Sequence, residues 1–466
     1  MENAGNEQLI ELLNAPDKAE RLDALKKISE NRVASNKGLS INAEGLRIDA
    51  EGLRINASHS CSYENRVASN TVFVNNHIHT TYSFSPYSPT KAVYMAWDAG
   101  LATSGIMDHD TVAGAYEFID ASKIVNMLST VGFECRCQTK GTPLHNRRTN
   151  NPDQVTNTYL AMHGIPYMHI KTAHDFLSPY RKNRDTRNKK MVEKLNAVKG
   201  LEKINLDYEK DVRPISMYSD GGTVTERHII FALSLKLEKT YGRGKGMVDF
   251  LSMSLGIEVT GKNLSQLLDE TNELYPYTIL NILKSSLVSK FYIEAVDECP
   301  PIYDFLKLGE EIGGITSYPY LGDITDSVTG DKSAQTFEDS YLDELFEWLK
   351  EAGFKAISYM PTRNTIAQLR RVIGLCKQYG FFQISGEDIN SPYQSFICEA
   401  LLKDEFKHLI SSTYALIGHE ISAVENIEGG MFSDTWSRKI PDLDERINHF
   451  AQIGQSKGNG LHNTQV

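Results

Sequence analysis

The sequence predicts an α/β protein built on a mainly parallel sheet, and three observations carry that prediction. Short β-branched or aromatic runs alternate with helical periodicity over residues 71–170 and again from 298 onward. His and Asp residues close several of those runs, and the carboxyl ends of parallel strands are where chemistry collects. The chain has 466 residues, 41% hydrophobic and 23% charged, enough to bury a sizeable core and too apolar for disorder to dominate.

Residues 7–30 (EQLIELLNAPDKAERLDALKKISE) carry apolar residues at helical steps, with Pro16 and Asp17 restarting a second helix. NRVASN then occurs at 31–36 and again at 65–70, with INAEGLR, IDAEGLR and INA in tandem between the copies. The Ile and Leu spacing makes no helical stripe, so the segment reads as an expanded insertion that loops out. From 71, TVFVNNHIHT reads as strand, PTKAVYMAWDAGL as helix, SGIMDHD as strand, VAGAYEFIDASKIVNML as helix and STVGFECRC as strand. RKNRDTRNKKMVEKLNAVKG (181–200) reads as a basic helix, whose Arg184 and Arg187 are expected on a solvated face. Residues 229–297 read as a small inserted helical subdomain. Alternation then resumes through GGITSYPYLGD, FKAISYMP and FFQISGEDIN. The expected organisation is therefore 1–70 helices plus repeat, 71–228 and 298–430 the two parts of the main α/β unit, 229–297 the insertion, and 431–466 a C-terminal helix and tail.

Charge and cysteine content narrow the setting. Lys and Arg number 49 against 60 Asp and Glu, a net charge of −11, which excludes a general polyanion-binding surface but not a local basic pocket. No run of about 18 apolar residues offers a membrane span. The start lacks a basic region followed by an apolar one, so it does not read as a signal peptide. The six cysteines, at 61, 135, 137, 299, 376 and 398, form no CxxC pair, and a reducing, cytoplasmic location is expected.

The residues that carry chemistry are scattered but ordered. His77 and His79, two apart on a strand, point to one side and can meet one cation, which neutral imidazole suits in the case of Zn, Mn or Fe. Asp108 and His109 close the next strand, where Asp110 or Thr111 also suits a helix N-cap. Glu134 stands in VGFECRC, His163 in YLAMHGIP, and Asp388 just past a Gly in FFQISGEDIN. Cys135 and Cys137 alternate away from Glu134 and read as core packing.

This order of HxH, DH, an acid, a late His and a final Asp resembles the PHP family, named for polymerase and histidinol phosphatase, over roughly 71–400. The resemblance implies a distorted seven-stranded (βα) barrel and metal-dependent phosphoester hydrolysis. By resemblance, a first cation is held by His77, His79, Glu134 and Asp388. A second would use Glu134, His163 and a late His, but Tyr318 stands in that place, with Asp323 a weaker substitute. A third would use His109 with residues that here are Phe84 and Asn390. One divalent cation is therefore expected, with two or three possible, and His109 and His163 are left as candidate catalytic acid or base.

For substrate, Arg147 and Arg148 in the loop GTPLHNRRTNNPDQ could grip a phosphate. Arg227 and His228 are further anion contacts by resemblance to the family's R-P-H-I-A segment, and Asn390 is a candidate contact. The expected function is hydrolysis of a small phosphorylated metabolite or nucleotide by a metal-activated water. Nucleic acid is expected only as a short substrate, and the oligomeric state is left open. The alternatives are a non-catalytic metal- or ligand-binding relative and hydrolysis of a non-phosphate bond.

Overall fold

A computed structural model describes residues 2–36, 40–41, 47–48, 72–324 and 335–458. Most of the tandem repeat and the last eight residues lie outside them. Helices α1 (Glu2–Leu12) and α2 (Lys18–Asn36) break at the predicted Pro16–Asp17 junction. They pack through Leu13, Ala24, Leu25 and Ile28 into the main core. Arg21 locks them there with a buried two-pronged ion pair to Glu117, at 2.8 and 2.5 Å.

Seven strands follow: β1 (Val74–Ile78), β2 (Thr103–His109), β3 (Leu128–Gln138), β4 (Asn157–His163), β5 (Ile315–Pro319), β6 (Ala356–Tyr359) and β7 (Phe382–Ser385). Each pairs with the next in chain order. The sheet is parallel except around β4, which runs antiparallel to both β3 and β5. The ring closes just beyond β7, where Ile78 and Ile389 form a parallel bridge. There His79 donates its N–H to the Ile389 carbonyl at 2.9 Å, and Ile389 donates to His77 at 3.1 Å. The architecture is the expected distorted seven-stranded (βα) barrel with helical additions.

Helices α3 (Pro89–Asp98), α4 (Ala115–Ile124), α10 (Ile302–Ile312), α11 (Leu342–Ala352) and α12 (Ile366–Tyr379) cover the outside of the sheet and share the main core with it. Between β4 and β5 run the long α5 (Ile170–Asn196) and four further helices, α6 (Glu226–Tyr241), α7 (Lys245–Met253), α8 (Gly261–Leu268) and α9 (Tyr275–Phe291). These four share an apolar core of their own, and that core recruits Met191, Val192 and Leu195 of α5 and Phe84 of the barrel. The other end of the barrel is sealed by α13 (His408–Ala423), whose Ala415 and Leu416 meet Ile315, Ala356, Phe382 and Ile384. A short helix, Asp434–Lys439, and the helix Leu443–Gly458 then back α13.

Candidate metal centre

Barrel closure explains why residues more than 300 apart in sequence meet. His77 and His79 flank the closing Ile78–Ile389 bridge, and Asp388 immediately precedes Ile389. A register shift between Asn75 and Ile78 marks a bulge that re-aims the strand end. Asn75 accepts the His77 N–H at 3.0 Å and donates to the Glu387 carbonyl at 3.1 Å, pinning β1 to the β7 loop. Gly386 is required at that contact, since a Cβ there would lie 2.5 Å from His77 Cβ. Glu134 pairs in register with His109 across β2 and β3.

His77, His79 and Glu134 come together, and Asp388 adjoins His79. His77 Nε2 lies 3.2 Å from His79 Nε2, and the two rings lie 3.6 and 3.5 Å from Glu134 Oε1. His79 Nε2 is 3.2 Å from Asp388 Oδ1. Ligand bonds of about 2.1 Å in tetrahedral array place neighbouring donor atoms about 3.4 Å apart. Two imidazoles and one carboxylate at this spacing, with Asp388 beside His79, therefore fit a divalent cation. His109 Nδ1 adjoins the same Glu134 oxygen at 3.1 Å. His163, buried on β4, also faces the cavity, and its Nε2 has no hydrogen-bond partner.

Supporting residues orient the first ligands. Asp108 is fully buried and accepts from Thr80 N (2.7 Å), Thr80 Oγ1 (2.6 Å) and Ser83 Oγ (2.6 Å). Burial pushes Asp108 above its ordinary pKa, opposed by these donors and His79. Ser83 Oγ also lies 3.2 Å from His79 Nδ1. Nothing in the spacing of these residues announces the arrangement.

The electrostatics suit cation binding. Burial alone would raise Glu134, but His109 and His77 outweigh it and hold the carboxyl at about 2. The carboxyl of Asp388 is likewise held well below its ordinary range, burial being overcome by His79 and His77. Burial pushes both His109 and His163 down to about 3. A neutral imidazole is the form that ligates metal or accepts a proton or hydrogen bond.

A cavity of about 890 Å³ opens over the cluster. Its wall includes Arg184, Glu226 and Arg227, the α9 face, and Asn150 and Asp153 of the loop after β3. Arg227 donates to Asn390 Oδ1, and Asn390 Nδ2 donates to Asp388 Oδ1 at 2.5 Å.

Several expectations require correction. Arg147 lies outside the cavity wall, bonded to Glu344 at 2.8 Å, and Arg148 donates to the Asn151 and Pro152 carbonyls. His228 is not an anion contact: its buried ring caps α6, Nδ1 accepting the Thr225 N–H at 3.0 Å, and packs on Phe84. Asp110 and Thr111 do not cap α4, whose N-cap is Gly114. Asp110 instead pairs with Arg184. Asp323 accepts from Phe337 N in its own loop and does not reach the cavity. Arg184 and Arg187 are buried, not solvated. With Arg136 they form a network with Asp110, Glu226 and Glu298 that joins barrel, α5 and insertion. Cys135 and Cys137 lie fully buried in the main core, as expected.

No protein-family model and no curated protein matches the chain. Among solved structures, it is similar to a Bifidobacterium adolescentis protein ascribed metal-dependent phosphoesterase activity. That match has 18% identity and a TM-score of 0.46, covering 73% of this chain and 96% of the other. It is also similar to an amidohydrolase from Chromobacterium violaceum, solved with sulfate and no metal. There the identity is 13% and the TM-score 0.45, over 73% and 97% of the two chains. No helix among the described residues is long and apolar enough to cross a membrane. The ring of seven strands and the His77–His79–Glu134 cluster at its mouth agree with the resemblance to the PHP family.

Proposed function

We propose that the protein is a metal-dependent hydrolase of a small phosphorylated metabolite or nucleotide. The observation that carries this reading is the convergence of His77, His79 and Glu134, with Asp388 beside His79, next to the cavity. A divalent cation held there, Zn, Mn or Fe by donor type, would supply Lewis acidity to a phosphoryl oxygen and make a water nucleophilic near neutral pH. The protein supplies the rest. Arg227 faces the cavity beside Asp388 and offers N–H donors to an anion. The neutral His163 ring presents an unpartnered nitrogen to the same space, and His109 stands against Glu134. The cavity volume, about 890 Å³, accommodates an organic leaving group well beyond phosphate itself.

The test is turnover of a phosphomonoester and short-oligonucleotide panel with added Mn or Zn, beside a His77→Ala, Asp388→Ala double variant. Turnover lost in the variant is the expected result, and equal rates in both proteins would refute the reading. A non-catalytic, metal-binding role is the second reading. It is favoured by Phe84, whose ring belongs to the insertion's core, and by Tyr318, buried among Asn150 and Thr158 outside the cavity wall. Bound metal without turnover on any phosphoester would select it.

A further inference from the structure

We infer, resting on the reading of His77, His79 and Glu134 as a metal site and on nothing about the substrate, that the hairpin of α1 and α2 is a positioning part of that site. Its turn holds the far end of the loop Thr80–Ser88, and through the loop it sets Ser83 against His79. The hairpin lies outside the stretch, roughly 71–400, that resembles the PHP family.

The loop runs from β1 to α3 and carries the side chains that orient His79. At its near end Thr80 N, Thr80 Oγ1 and Ser83 Oγ meet the buried Asp108 carboxylate, and Ser83 Oγ lies 3.2 Å from His79 Nδ1. Ser83 N and Phe84 N both donate to the Thr80 carbonyl, at 3.0 and 3.2 Å. Thr81 N donates to the Tyr87 carbonyl at 2.8 Å, so the far end of the loop folds back onto the near end. Tyr87 adjoins Ser88 and Thr81 adjoins Thr80, so a shift at 86–88 is passed directly to the donors on Asp108.

The hairpin grips that far end. Asn14, in the turn between α1 and α2, donates from Nδ2 to the Pro86 carbonyl and accepts the Ser88 N–H at Oδ1, both at 2.9 Å. One amide thus brackets Tyr87, whose carbonyl closes the loop. Ser88 Oγ, buried, donates to the Leu13 carbonyl at 2.5 Å and accepts the Lys91 N–H as the N-cap of α3. Lys91 Nζ reaches the Ile10 carbonyl at 3.1 Å. The turn is fixed in its own right from α2: Arg21 donates to the Ala15 and Pro16 carbonyls at 2.6 and 2.9 Å while it holds Glu117. Glu117 also accepts Thr90 N and Thr90 Oγ1 in the first turn of α3, at 3.2 and 2.7 Å. Apolar burial does not account for this pattern. Leu13, Ala24, Leu25 and Ile28 already seat the hairpin in the main core, whereas the Asn14 side chain is exposed and adds nothing to it. What the Asn14 amide fixes is the path of the backbone at 86–88.

The experiment uses the full chain, stripped with chelator. Hydrogen exchange is read by mass spectrometry on peptides spanning 79–88, and Zn²⁺ affinity by competition with a chromophoric chelator. Asn14→Leu is expected to speed exchange at 79–88 while peptides of β3 and β4 keep wild-type rates. It is expected to weaken Zn²⁺ about three- to tenfold, less than the about 10–100-fold that follows outright loss of a group orienting a ligand. Asn14→Asp keeps the acceptor for the Ser88 N–H and should recover part of both effects. Lys18→Met breaks an exposed ion pair between α2 and Asp120 of α4, away from the loop, and should change neither reading. Loop exchange and Zn²⁺ affinity in Asn14→Leu equal to wild type would overturn the inference. So would equal losses in Lys18→Met, or exchange quickened evenly across the barrel, which marks general destabilisation. Wild-type protein that binds no Zn²⁺ would defeat the metal reading and the inference with it, whereas Zn²⁺ bound equally by wild type and Asn14→Leu defeats the inference alone.

Discussion

Replacing Ser83 by Ala tests whether the cluster is a metal site or a chance meeting of polar groups. Ser83 Oγ has one proton, and it goes to Asp108 Oδ1 at 2.6 Å. Toward His79 Nδ1, 3.2 Å away, the hydroxyl must therefore act as acceptor. That fixes the His79 proton on Nδ1 and leaves the Nε2 lone pair for a cation, 3.2 Å from Asp388 and 3.5 Å from Glu134. Ser83→Ala deletes the acceptor, frees the tautomer and removes one of three donors from a buried carboxylate. Each lost bond is worth about 1–1.5 kcal/mol. Loss of a group that orients a ligating His costs about 10–100-fold in metal affinity, or about 1.4–2.7 kcal/mol. Competition for Zn²⁺ against a chromophoric chelator at neutral pH measures this directly. A dissociation constant within about twofold of wild type, where Asp388→Ala abolishes binding, would refute the reasoning.

Further predictions concern stability. Arg184→Met strands Asp110 in the buried network, while Glu226 keeps Arg136 and Arg187, and is expected to cost about 3–5 kcal/mol in urea unfolding. Arg147→Met, whose pairing with Glu344 is solvent-exposed, should cost under about 1 kcal/mol. Gly418→Ala would drive a Cβ to 1.9 Å from the Phe450 carbonyl oxygen where α13 crosses the C-terminal helix, lowering stability by about 1–3 kcal/mol. Gly374→Ala on α12 meets nothing within 4 Å and should gain up to about 1 kcal/mol. Glu420, bonded to Val131 N at 2.9 Å, is raised by burial to about 8. A raised folded pKa gives stability that is full below the unfolded value and lost as pH climbs toward 8. Glu420→Gln should therefore gain on wild type between pH 5 and pH 8. Parallel urea midpoints across that window would contradict this.

What the sequence disclosed, and what it hid, follows from the range over which each signal acts. The candidate ligands were legible because strand periodicity is local: residues 77 and 79 must share a face, and a polar residue closing an apolar strand must sit at the barrel's rim. The reversal of β4 had a signal that strand pattern alone does not carry. The stretch between β3 and β4, GTPLHNRRTNNPDQ, holds no helical period, and a parallel neighbour needs a crossover that is usually helical. A strand reached without one therefore returns antiparallel, as β4 does. The buried arginines were beyond reach by the same logic. RKNRDTRNKK is locally indistinguishable from a solvated face, and what buries Arg187 is Glu298, 111 residues away on another element. Burial of a charge is decided by its partner, and the partner is set by topology. The same dependence explains Asn390 and Phe84. Read alone, they are a weak ligand and no ligand. Placed in the barrel, one fastens a guanidinium to Asp388 and the other fastens the insertion to the cavity wall. Phe84 and Asn390, the departures from a metal-cluster pattern, are thus filled positions with structural partners of their own.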